Sequence, residues 1–389
     1  MILSMLDNDL YKFTMQQAVH MLYPRAEAEY RFTNRGQTPF PEGFGQELSV
    51  RVKEMANLSL SREEKEYLNQ VCYFLTPVYL DYLETYRFNP DEVQISQEGS
   101  ELSLRVKGPW YRTILWEVPL MALISEIYFS MTGSTVYSRE EIRTINQAKA
   151  RKLADNGVRF ADFGTRRRYS SANHFNLIED LVATPNNTLN GTSNVHFARH
   201  FGITPIGTLA HEWFMFHGVL SGYQMANMAA QDAWVRVFQG DLGIALADTY
   251  TTDVFLSGFD TLNAKLFDGV RHDSGDPIQF LDKIMDHYSE LHIDPISKSI
   301  VFSDGLNVDK AIAIHRACQG KIRDAYGIGT NLTNDVGVKP LNIVIKLSQC
   351  RPTPRRPWQP TVKLSDDPGK HTGDSAELEN CMRILNLTR

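Results

Sequence analysis

Short apolar segments that end in glycine or aspartate recur through the middle of this chain, and they constrain its fold more than any other feature. They cover residues 158–163, 203–206, 243–247, 268–271, 299–302 and 324–328. Segments with helical periodicity, such as 277–291 and 308–318, lie between some of them. Apolar runs of this length are typical of parallel strands that are buried on both faces. Their alternation with helices predicts an α/β barrel whose polar loops share one rim.

An open, doubly wound sheet is the alternative arrangement for such segments. Its dinucleotide-binding version carries a Gly-x-Gly-x-x-Gly turn directly after a strand. None of the strand segments of this chain is followed by that pattern. The barrel is therefore the preferred prediction for the fold.

The residues on either side of the predicted barrel have a different pattern. Residues 93–96 and 102–106 are typical of an antiparallel hairpin around Gly99. A capping box begins a helix at Ser138. We therefore predict three regions: an α+β domain over 1–137 that contributes to the active site and to a dimer, the α/β barrel with its catalytic rim over 138–340, and a strand with a proline-rich segment returning to the first domain over 341–389.

Composition excludes several classes of protein. Hydrophobic residues make up 42% of the chain and charged residues 22%, which predicts a large core and argues against global disorder. The formal net charge of -6 gives no reason to expect a nucleic-acid partner. Residues 113–131 are the most apolar stretch, but two glutamates and a proline interrupt it. We therefore predict that this stretch is core and that the protein has no membrane partner.

The cysteines and the amino terminus indicate the compartment. Four cysteines without a Cys-x-x-Cys pair argue against a zinc ribbon or a disulfide scaffold and suit a reducing environment. The first residues lack the basic start of a signal peptide and reach Asp7 early. We therefore predict a cytoplasmic location.

A histidine follows one of the predicted strands at the rim. His211 comes after a Gly-Thr turn that ends the segment 203–206. An imidazole at the carboxyl end of a strand can act as a nucleophile or in proton transfer, because active sites of barrels lie at that end. A structural histidine fits the same position, so His211 alone does not decide the function.

Glycines and charges on the other loops indicate an anionic sugar substrate. The turns at 303–305 and 327–330 offer backbone N–H groups that can bind a phosphate. Arg166 and its two neighbouring arginines can bind pyrophosphate or a carboxylate. Arg271 and Asp273 share a loop, where the carboxylate can position hydroxyls or magnesium. Plain turns, a solvated basic corner and a structural ion pair are the alternative interpretations of these features.

Six motifs, in this order, resemble those of the nicotinate phosphoribosyltransferase family. They are DLYKFTM (9–15), FGTRR (163–167), GTSN (191–194), GTLAHEW (207–213), HDSGD (272–276) and GIGT (327–330). The similarity extends over about residues 5–370 and includes KLSDDPGK (363–370), whereas 350–360 has no counterpart that we can match. The resemblance implies a type II phosphoribosyltransferase-like α/β barrel with an additional α+β domain built mainly from the N-terminal region.

The resemblance also implies a reaction. Enzymes of this family convert nicotinate and phosphoribosyl pyrophosphate into nicotinate mononucleotide and pyrophosphate, coupled to ATP hydrolysis, on the route to NAD. Mg²⁺ would be the cofactor and ATP a co-substrate. His211 would be phosphorylated transiently by ATP, and the added charge would bias rim loops toward a form that binds phosphoribosyl pyrophosphate. His217 is the competing candidate, although it lacks the Gly-Thr turn.

Roles for individual residues follow from the same resemblance. The pyridine ring would stack between Phe163 and Tyr11, with Tyr11 supplied by the second subunit of a homodimer. The carboxylate of nicotinate would contact Arg271 and the hydroxyl of Thr208. The remaining predicted contacts are Arg166 with the sugar phosphate or pyrophosphate, Gly305, Gly329 and Thr330 with the ribose 5-phosphate, and Asp273 and Asp304 with the ribose and magnesium.

Two alternatives for the function remain open. Nicotinamide phosphoribosyltransferase shares the scaffold, but there an acidic residue follows the Gly-Thr pair and accepts a hydrogen bond from the carboxamide. Ser193 holds that place here and can donate to a carboxylate, which favours nicotinate. A non-catalytic sugar-phosphate-binding protein is the second alternative, and it would require neither His211 nor the acidic loop around Asp273.

Overall fold

Two β-sheets organise the protein, whose structure is a computed structural model that describes residues 1–387. The strands are β1 (Glu27–Asn34), β2 (Val93–Glu98), β3 (Glu101–Pro109), β4 (Phe160–Asp162), β5 (Leu189–Thr192), β6 (Thr204–Pro205), β7 (Ile244–Leu246), β8 (Gly269–His272), β9 (Ser299–Phe302), β10 (Arg323–Ile328), β11 (Ile343–Arg351) and β12 (Gln359–Pro360).

Seven short parallel strands form the larger sheet, in the order β6-β5-β4-β10-β9-β8-β7. β10 is the last of these strands in the chain, yet it pairs with β4, the first, through Tyr326 opposite Phe160. A sheet whose last strand lies beside its first is curled in the manner of a barrel, and the edges here are β6 and β7. The predicted α/β barrel is confirmed in the form of this curled half-barrel, and the strands within residues 1–387 do not follow a doubly wound order.

The apolar segments predicted most of these strands closely. The segment 299–302 coincides with β9, and 324–328 differs from β10 by one residue. β5 was not predicted, because its four residues include Asn190 and Gly191 and form no apolar run. A strand this short is held by its neighbours, since β5 pairs with β4 on one side and β6 on the other.

Five antiparallel strands form the second sheet, in the order β12-β11-β1-β3-β2. The predicted hairpin is β2 and β3, joined at Gly99. β11 comes from the other end of the chain and pairs with β1 along its length, with Leu347 opposite Tyr30. The boundaries at 137 and 340 stay a prediction, and the last two residues of the third predicted region lie outside the described part of the chain.

Helices connect most of the strands and pack against both sheets. The capping box predicted at Ser138 is present and begins the helix there. The helices are α1 (Leu10–Leu22), α2 (Phe44–Glu54), α3 (Arg62–Val71), α4 (Pro77–Thr85), α5 (Trp110–Thr113), α6 (Glu117–Thr132), α7 (Arg139–Asp155), α8 (Ser171–Val182), α9 (Val195–Phe201), α10 (His211–Ser221), α11 (Ala226–Phe238), α12 (Thr252–Gly258), α13 (Thr261–Leu266), α14 (Pro277–Glu290), α15 (Val308–Cys318), α16 (Thr330–Thr333) and α17 (Ser375–Ile384).

One helical stretch, Trp110–Thr132, is long and apolar enough to cross a membrane by length and composition. Within the protein, however, 78% of its most apolar window is buried. A helix that is apolar on all sides and covered by protein is typical of a core helix. The stretch therefore packs as core, in line with the expectation from its glutamates and proline.

Buried ion pairs attach the amino terminus to the barrel. Asp7 accepts two hydrogen bonds from Arg168, at 2.7 and 2.8 Å, and both side chains are almost inaccessible to solvent. Lys12, also buried, pairs with Glu117 at 2.6 Å and with Glu212. Removing one member of such a pair would leave a charge without its partner in the core. These contacts fix the first turn of α1 at the rim of the parallel sheet.

Candidate functional site

A cavity lies between the carboxyl ends of the parallel strands and the antiparallel sheet. Its volume is about 150 Å³, which is enough space for one six-membered ring. The predicted site residues line it, with the exception of Thr208 and Asp304. Those that line it are Tyr11, Phe163, Arg166, Ser193, His211, Arg271, Asp273, Gly305, Gly329 and Thr330.

Two aromatic side chains, Phe163 and Tyr11, form part of the cavity wall. Phe163 directly follows β4, and a Cβ atom at Gly327 would overlap its ring, so glycine at that position lets the ring lie against β10. Tyr11 is 8% exposed, in the first turn of α1. Its backbone passes close to the turn at Gly207, where an added Cβ would be only 3.0 Å from the Tyr11 nitrogen. Both rings are therefore held by close backbone packing.

Tyr11 lines the cavity of its own chain. The backbone N–H of Leu10 donates to the carbonyl of Ser193 at 2.8 Å, which fixes the start of α1 beside the loop after β5. The cavity of a single chain therefore already contains this ring, because the Asp7–Arg168 pair holds the amino-terminal segment against the barrel. A contribution of Tyr11 from a second subunit stays a prediction.

His211 is the first residue of α10 and is held through both ring nitrogens. Nδ1 lies 3.1 Å from the hydroxyl of Thr249, and Nε2 lies 3.0 Å from a carboxylate oxygen of Asp273. Burial, together with the charge of Lys363, lowers the pKa of His211 to about 4, against the opposing effect of Asp248 and Asp273. The imidazole is therefore neutral near pH 7 and retains a nitrogen lone pair for nucleophilic attack.

Two carboxylates stand beside this imidazole. Burial raises the pKa of Asp273, but the hydrogen bond with His211 and the charge of Arg271 hold it well below its usual range. Asp248, at the end of β7, lies 3.7 Å from Nε2 of His211. The segment 243–247 was identified from the sequence as a strand, but no role was assigned to Asp248, which follows it. The rule that parallel strands carry site residues at their carboxyl ends would have included it.

His217, the competing candidate, is a structural histidine. Its Nδ1 lies 2.7 Å from the carbonyl of Trp213, and its Nε2 lies 2.8 Å from the hydroxyl of Tyr23. The ring is 1% exposed and does not line the cavity. Because His217 lies away from the cavity, His211 is the candidate whose imidazole faces it.

Positively charged side chains surround the cavity. Arg271 lies on β8, one residue before its end, and Arg166 follows β4 with its guanidinium 3.6 Å from Glu117. Sequence reasoning missed Lys346, which reaches the cavity from β11 in the antiparallel sheet. Burial lowers the pKa of Lys346 to about 8. Because no strand-end rule applies to an antiparallel strand, the sequence carried no signal for this lysine.

Two predicted residues lie elsewhere. The hydroxyl of Thr208 donates to the carbonyl of Ile244 at 3.3 Å and so connects the edge strands of the half-barrel. The carboxylate of Asp304 pairs with Lys370. Neither residue lines the cavity. The predicted contacts of Thr208 with a carboxylate and of Asp304 with magnesium are therefore not supported by this geometry.

Ser193 lines the cavity, but its hydroxyl is not free. It donates to a carboxylate oxygen of Asp9 at 2.7 Å, and Asp9 itself lines the cavity. The argument that Ser193 removes an acidic group from the substrate site is therefore wrong, because Asp9 provides one. No role in the site was assigned to Asp9 from the sequence, although it opens the first of the six motifs.

Comparisons with known proteins agree on one family over the whole chain. A model of the nicotinate phosphoribosyltransferase (NAPRTase) family matches residues 158–389, and a model of its N-terminal domain matches residues 6–125. A nicotinate phosphoribosyltransferase of Desulforapulum autotrophicum is 66% identical over 385 residues, or 99% of each chain. One of Chromohalobacter salexigens is 50% identical over 389 residues, the full length of both.

A solved structure extends the comparison to the fold. The crystal structure of nicotinate phosphoribosyltransferase from Porphyromonas gingivalis aligns with a TM-score of 0.97 at 44% sequence identity. The alignment covers 99% of this chain and 100% of that one. The half-barrel, the antiparallel sheet and the amino-terminal segment are therefore those of a single known architecture. The chain belongs to the nicotinate phosphoribosyltransferase family.

Proposed function

We propose that this protein joins nicotinate to phosphoribosyl pyrophosphate, forming nicotinate mononucleotide and pyrophosphate in NAD salvage. One observation carries the proposal: a ring-sized cavity brings the aromatic faces of Phe163 and Tyr11 together with Arg271 and a neutral His211. A flat, negatively charged ring is the ligand that such a cavity suits. Membership of the family supports the same reaction.

Nicotinate binds through its ring and its carboxylate. Stacking between Phe163 and Tyr11 adds about 0.5–1.5 kcal/mol to the burial of the ring. Arg271 provides the countercharge, and its Nε is buried without a hydrogen-bond partner in residues 1–387. A buried donor of this kind gains a charge-assisted hydrogen bond when a carboxylate binds.

Phosphoribosyl pyrophosphate binds at the loops after β9 and β10. Gly305, Gly329 and Thr330 offer backbone N–H groups for the ribose 5-phosphate, as phosphate sites on late loops of barrels do. Arg166 and Lys346 lie on the same cavity and carry positive charge for the pyrophosphate. Asp273, which accepts from the hydroxyl of Ser303 at 2.7 Å, stands where it can position a ribose hydroxyl.

The reaction exchanges one bond at the ribose C1 carbon. The pyridine nitrogen forms a bond to C1, and the bond from C1 to the pyrophosphate oxygen breaks, its electron pair leaving with pyrophosphate. The transition state resembles an oxocarbenium ion, as in glycoside chemistry. Alignment of the reactants by the aromatic walls, and stabilisation of the leaving group by Arg166 and Lys346, are the contributions of this chain.

ATP acts in the same cavity on His211. A ring nitrogen attacks the γ-phosphorus, and the bond to the bridging oxygen breaks, so that ADP leaves. Thr249 and Asp273 hold the ring in place for this transfer. The phosphoryl group adds a charge of about −1.5 to −2 beside the Asp273 carboxylate. Repulsion between the two displaces the loop after β8, which gives ATP a route to change the affinity for phosphoribosyl pyrophosphate.

Mg²⁺ fits the two carboxylates near His211. Ligand atoms of His211, Asp248 and Asp273 lie within 4.8 Å of one another. One oxygen of Asp248 is buried and has no hydrogen-bond partner among the described residues. Because Mg²⁺ prefers oxygen ligands and keeps several waters, Asp248 and Asp273 would hold it. When bound, the ion would neutralise the charge of the phosphate groups.

The reaction itself is tested by measuring pyrophosphate release with nicotinate, nicotinamide and quinolinate offered in parallel, each with and without ATP. We expect strong preference for nicotinate and stimulation by ATP. Equal or better use of nicotinamide would support the nicotinamide alternative. Absence of release with all three substrates would support the binding-protein alternative.

A homodimer and a cytoplasmic location remain proposals. The cysteines at 72, 318, 350 and 381 are all buried free thiols, which suits a reducing compartment. A dimer is not needed to bring Tyr11 to the cavity, because Tyr11 lines the cavity within one chain. A dimer would then form through contacts other than the shared aromatic wall that the sequence predicted.

Mixing two variants with lowered activity tests whether one chain builds its own site. We expect Tyr11→Ala and Arg271→Ala proteins to recover no activity when combined, because both side chains line one cavity of one chain. Activity is measured after unfolding and refolding the two variants together, which exchanges subunits if there are any. Wild-type protein taken through the same cycle is the control. Recovery on mixing would mean that Tyr11 acts across a subunit interface.

A further inference from the structure

Asp9 is a buried carboxylate that the proposed reaction does not use. It is 2% exposed and lines the cavity with Phe163, Tyr11 and Arg271. Asp9 occupies the N-cap position of α1, where an aspartate usually accepts a hydrogen bond from the helix, but it makes no such bond. Its carboxylate accepts from the hydroxyl of Ser193 instead. A side chain that leaves its capping role to face a cavity is a candidate for ligand contact.

Charged groups face Asp9 from several elements. Arg166 and Arg168 follow β4, Asp162 lies on β4, and Tyr11 is two residues along α1. Burial raises the pKa of Asp9, with a smaller contribution from Asp162, and the opposing effects of Arg166 and of hydrogen bonds with Ser193 and Thr165 do not cancel it. The carboxyl group of Asp9 is therefore protonated more readily in the cavity than it would be in water.

An ionised Asp9 conflicts with the proposed substrate. Nicotinate would bring its own carboxylate into a cavity of about 150 Å³ that already contains this one. Two like charges at such close range repel, since water is excluded from between them. The hydroxyl of Ser193 cannot relieve the repulsion, because its proton is donated to Asp9. An ionised carboxylate would suit a carboxamide, which can donate N–H to it.

We propose that Asp9 binds nicotinate as a carboxylic acid, donating its proton to the substrate carboxylate in a hydrogen bond. This inference rests on the proposed use of nicotinate. Ser193 donates to one oxygen of Asp9, so the proton resides on the other. One proton is taken up from solvent when nicotinate binds to the ionised enzyme, and no covalent bond changes. The pair Asp9 and Ser193 thus determines which pyridine carboxyl derivative is accepted.

The pH dependence of the reaction follows from this assignment. As the pH rises through the pKa of Asp9, the protonated fraction of the free enzyme falls tenfold for each unit. The value of kcat/KM for nicotinate therefore falls with the same slope. Because Ser193 stabilises the ionised form, removing its hydroxyl raises the pKa of Asp9. A hydrogen bond to a charged group is strong enough to move the descending limb upward by about one pH unit or more.

The test compares pH profiles of kcat/KM for nicotinate in four proteins. Wild type is expected to show the descending limb, and Ser193→Ala to show it at higher pH. Asp9→Asn is expected to lack this limb, because its amide donates N–H without titrating. Glu101→Gln, which changes an exposed carboxylate on the hairpin, is the matched control and is expected to keep the wild-type profile.

Other results would overturn the inference. A descending limb in Asp9→Asn at the wild-type pH, or a limb in Ser193→Ala that stays or moves downward, would exclude Asp9 as the proton donor. So would a folded Asp9→Asn protein without activity, folding being checked by its thermal transition. If that variant does not fold, the direction of the Ser193→Ala shift decides. Failure of the proposed function has a different signature, since wild type would then form no nicotinate mononucleotide at any pH.

Discussion

His211→Asn is expected to take up no label from γ-labelled ATP and to lose all stimulation by ATP. Asparagine has a similar size and can still hydrogen bond with Asp273, but it has no ring nitrogen to carry a phosphoryl group. The variant should keep slow, ATP-independent synthesis of nicotinate mononucleotide, because the aromatic walls and Arg271 are unchanged. The label on wild type should be acid-labile and base-stable, as expected of phosphohistidine.

His217→Asn is the matched control for this experiment. His217 lies six residues further along α10 and is buried, but its nitrogens contact Trp213 and Tyr23 and not the cavity. We expect this variant to be less stable and still to incorporate label. Label retained by His211→Asn, or lost from a folded His217→Asn protein, would show that the assignment of the phosphoryl group to His211 is wrong.

Arg271→Ala is expected to lower kcat/KM for nicotinate by roughly 10²- to 10³-fold. Removing one partner of a desolvated charge pair costs about 2–5 kcal/mol, because the other charge remains buried without compensation. Here that charge is the substrate carboxylate. We expect a smaller loss with nicotinamide, which carries no charge, so the preference for nicotinate should shrink. Steady-state kinetics with both substrates measure the ratio directly.

Labelling by ATP separates this effect from general damage. Arg271→Ala should still phosphorylate His211, although the charge that helps to keep Asp273 ionised is gone. Arg316→Ala, at an exposed position on α15, controls for loss of an arginine and should keep wild-type kinetics. A tenfold or smaller loss for Arg271→Ala would mean that another cation, such as Lys346, neutralises the substrate.

The rim of the barrel could be predicted because parallel strands converge at one end. Phe163 and Arg271 are each the last residue of a segment that the sequence identified as a strand. Once those segments are parallel, their carboxyl ends meet, so chain position alone brings the side chains to one cavity. The same rule applies to the glycine-containing turns after β9 and β10. The cavity contains these residues, whereas their individual roles stay predictions.

Contacts between segments that are distant in sequence could not be predicted. Nothing local indicates that Asp7 pairs with Arg168, and without that contact the path of the amino terminus, and so the origin of Tyr11, is unknown. The orientations and hydrogen-bond partners of individual side chains could not be predicted either. Asp9 could cap its helix or face the cavity, and the hydroxyl of Thr208 could face a ligand or Ile244. Each choice depends on tertiary neighbours, which a local pattern does not contain.

The pairing of β1 with β11 has a consequence for how this enzyme is made. These strands are joined by more than three hundred residues of chain, as the contact between Glu27 and Arg351 illustrates. Lys346, Lys363 and Lys370 also come from the late part of the chain. A nascent chain on the ribosome can therefore curl most of its parallel strands before the cavity can close. Pairing of such long range is slow and leaves the edge of β1 exposed until β11 is made, which exposes the unfinished chain to aggregation.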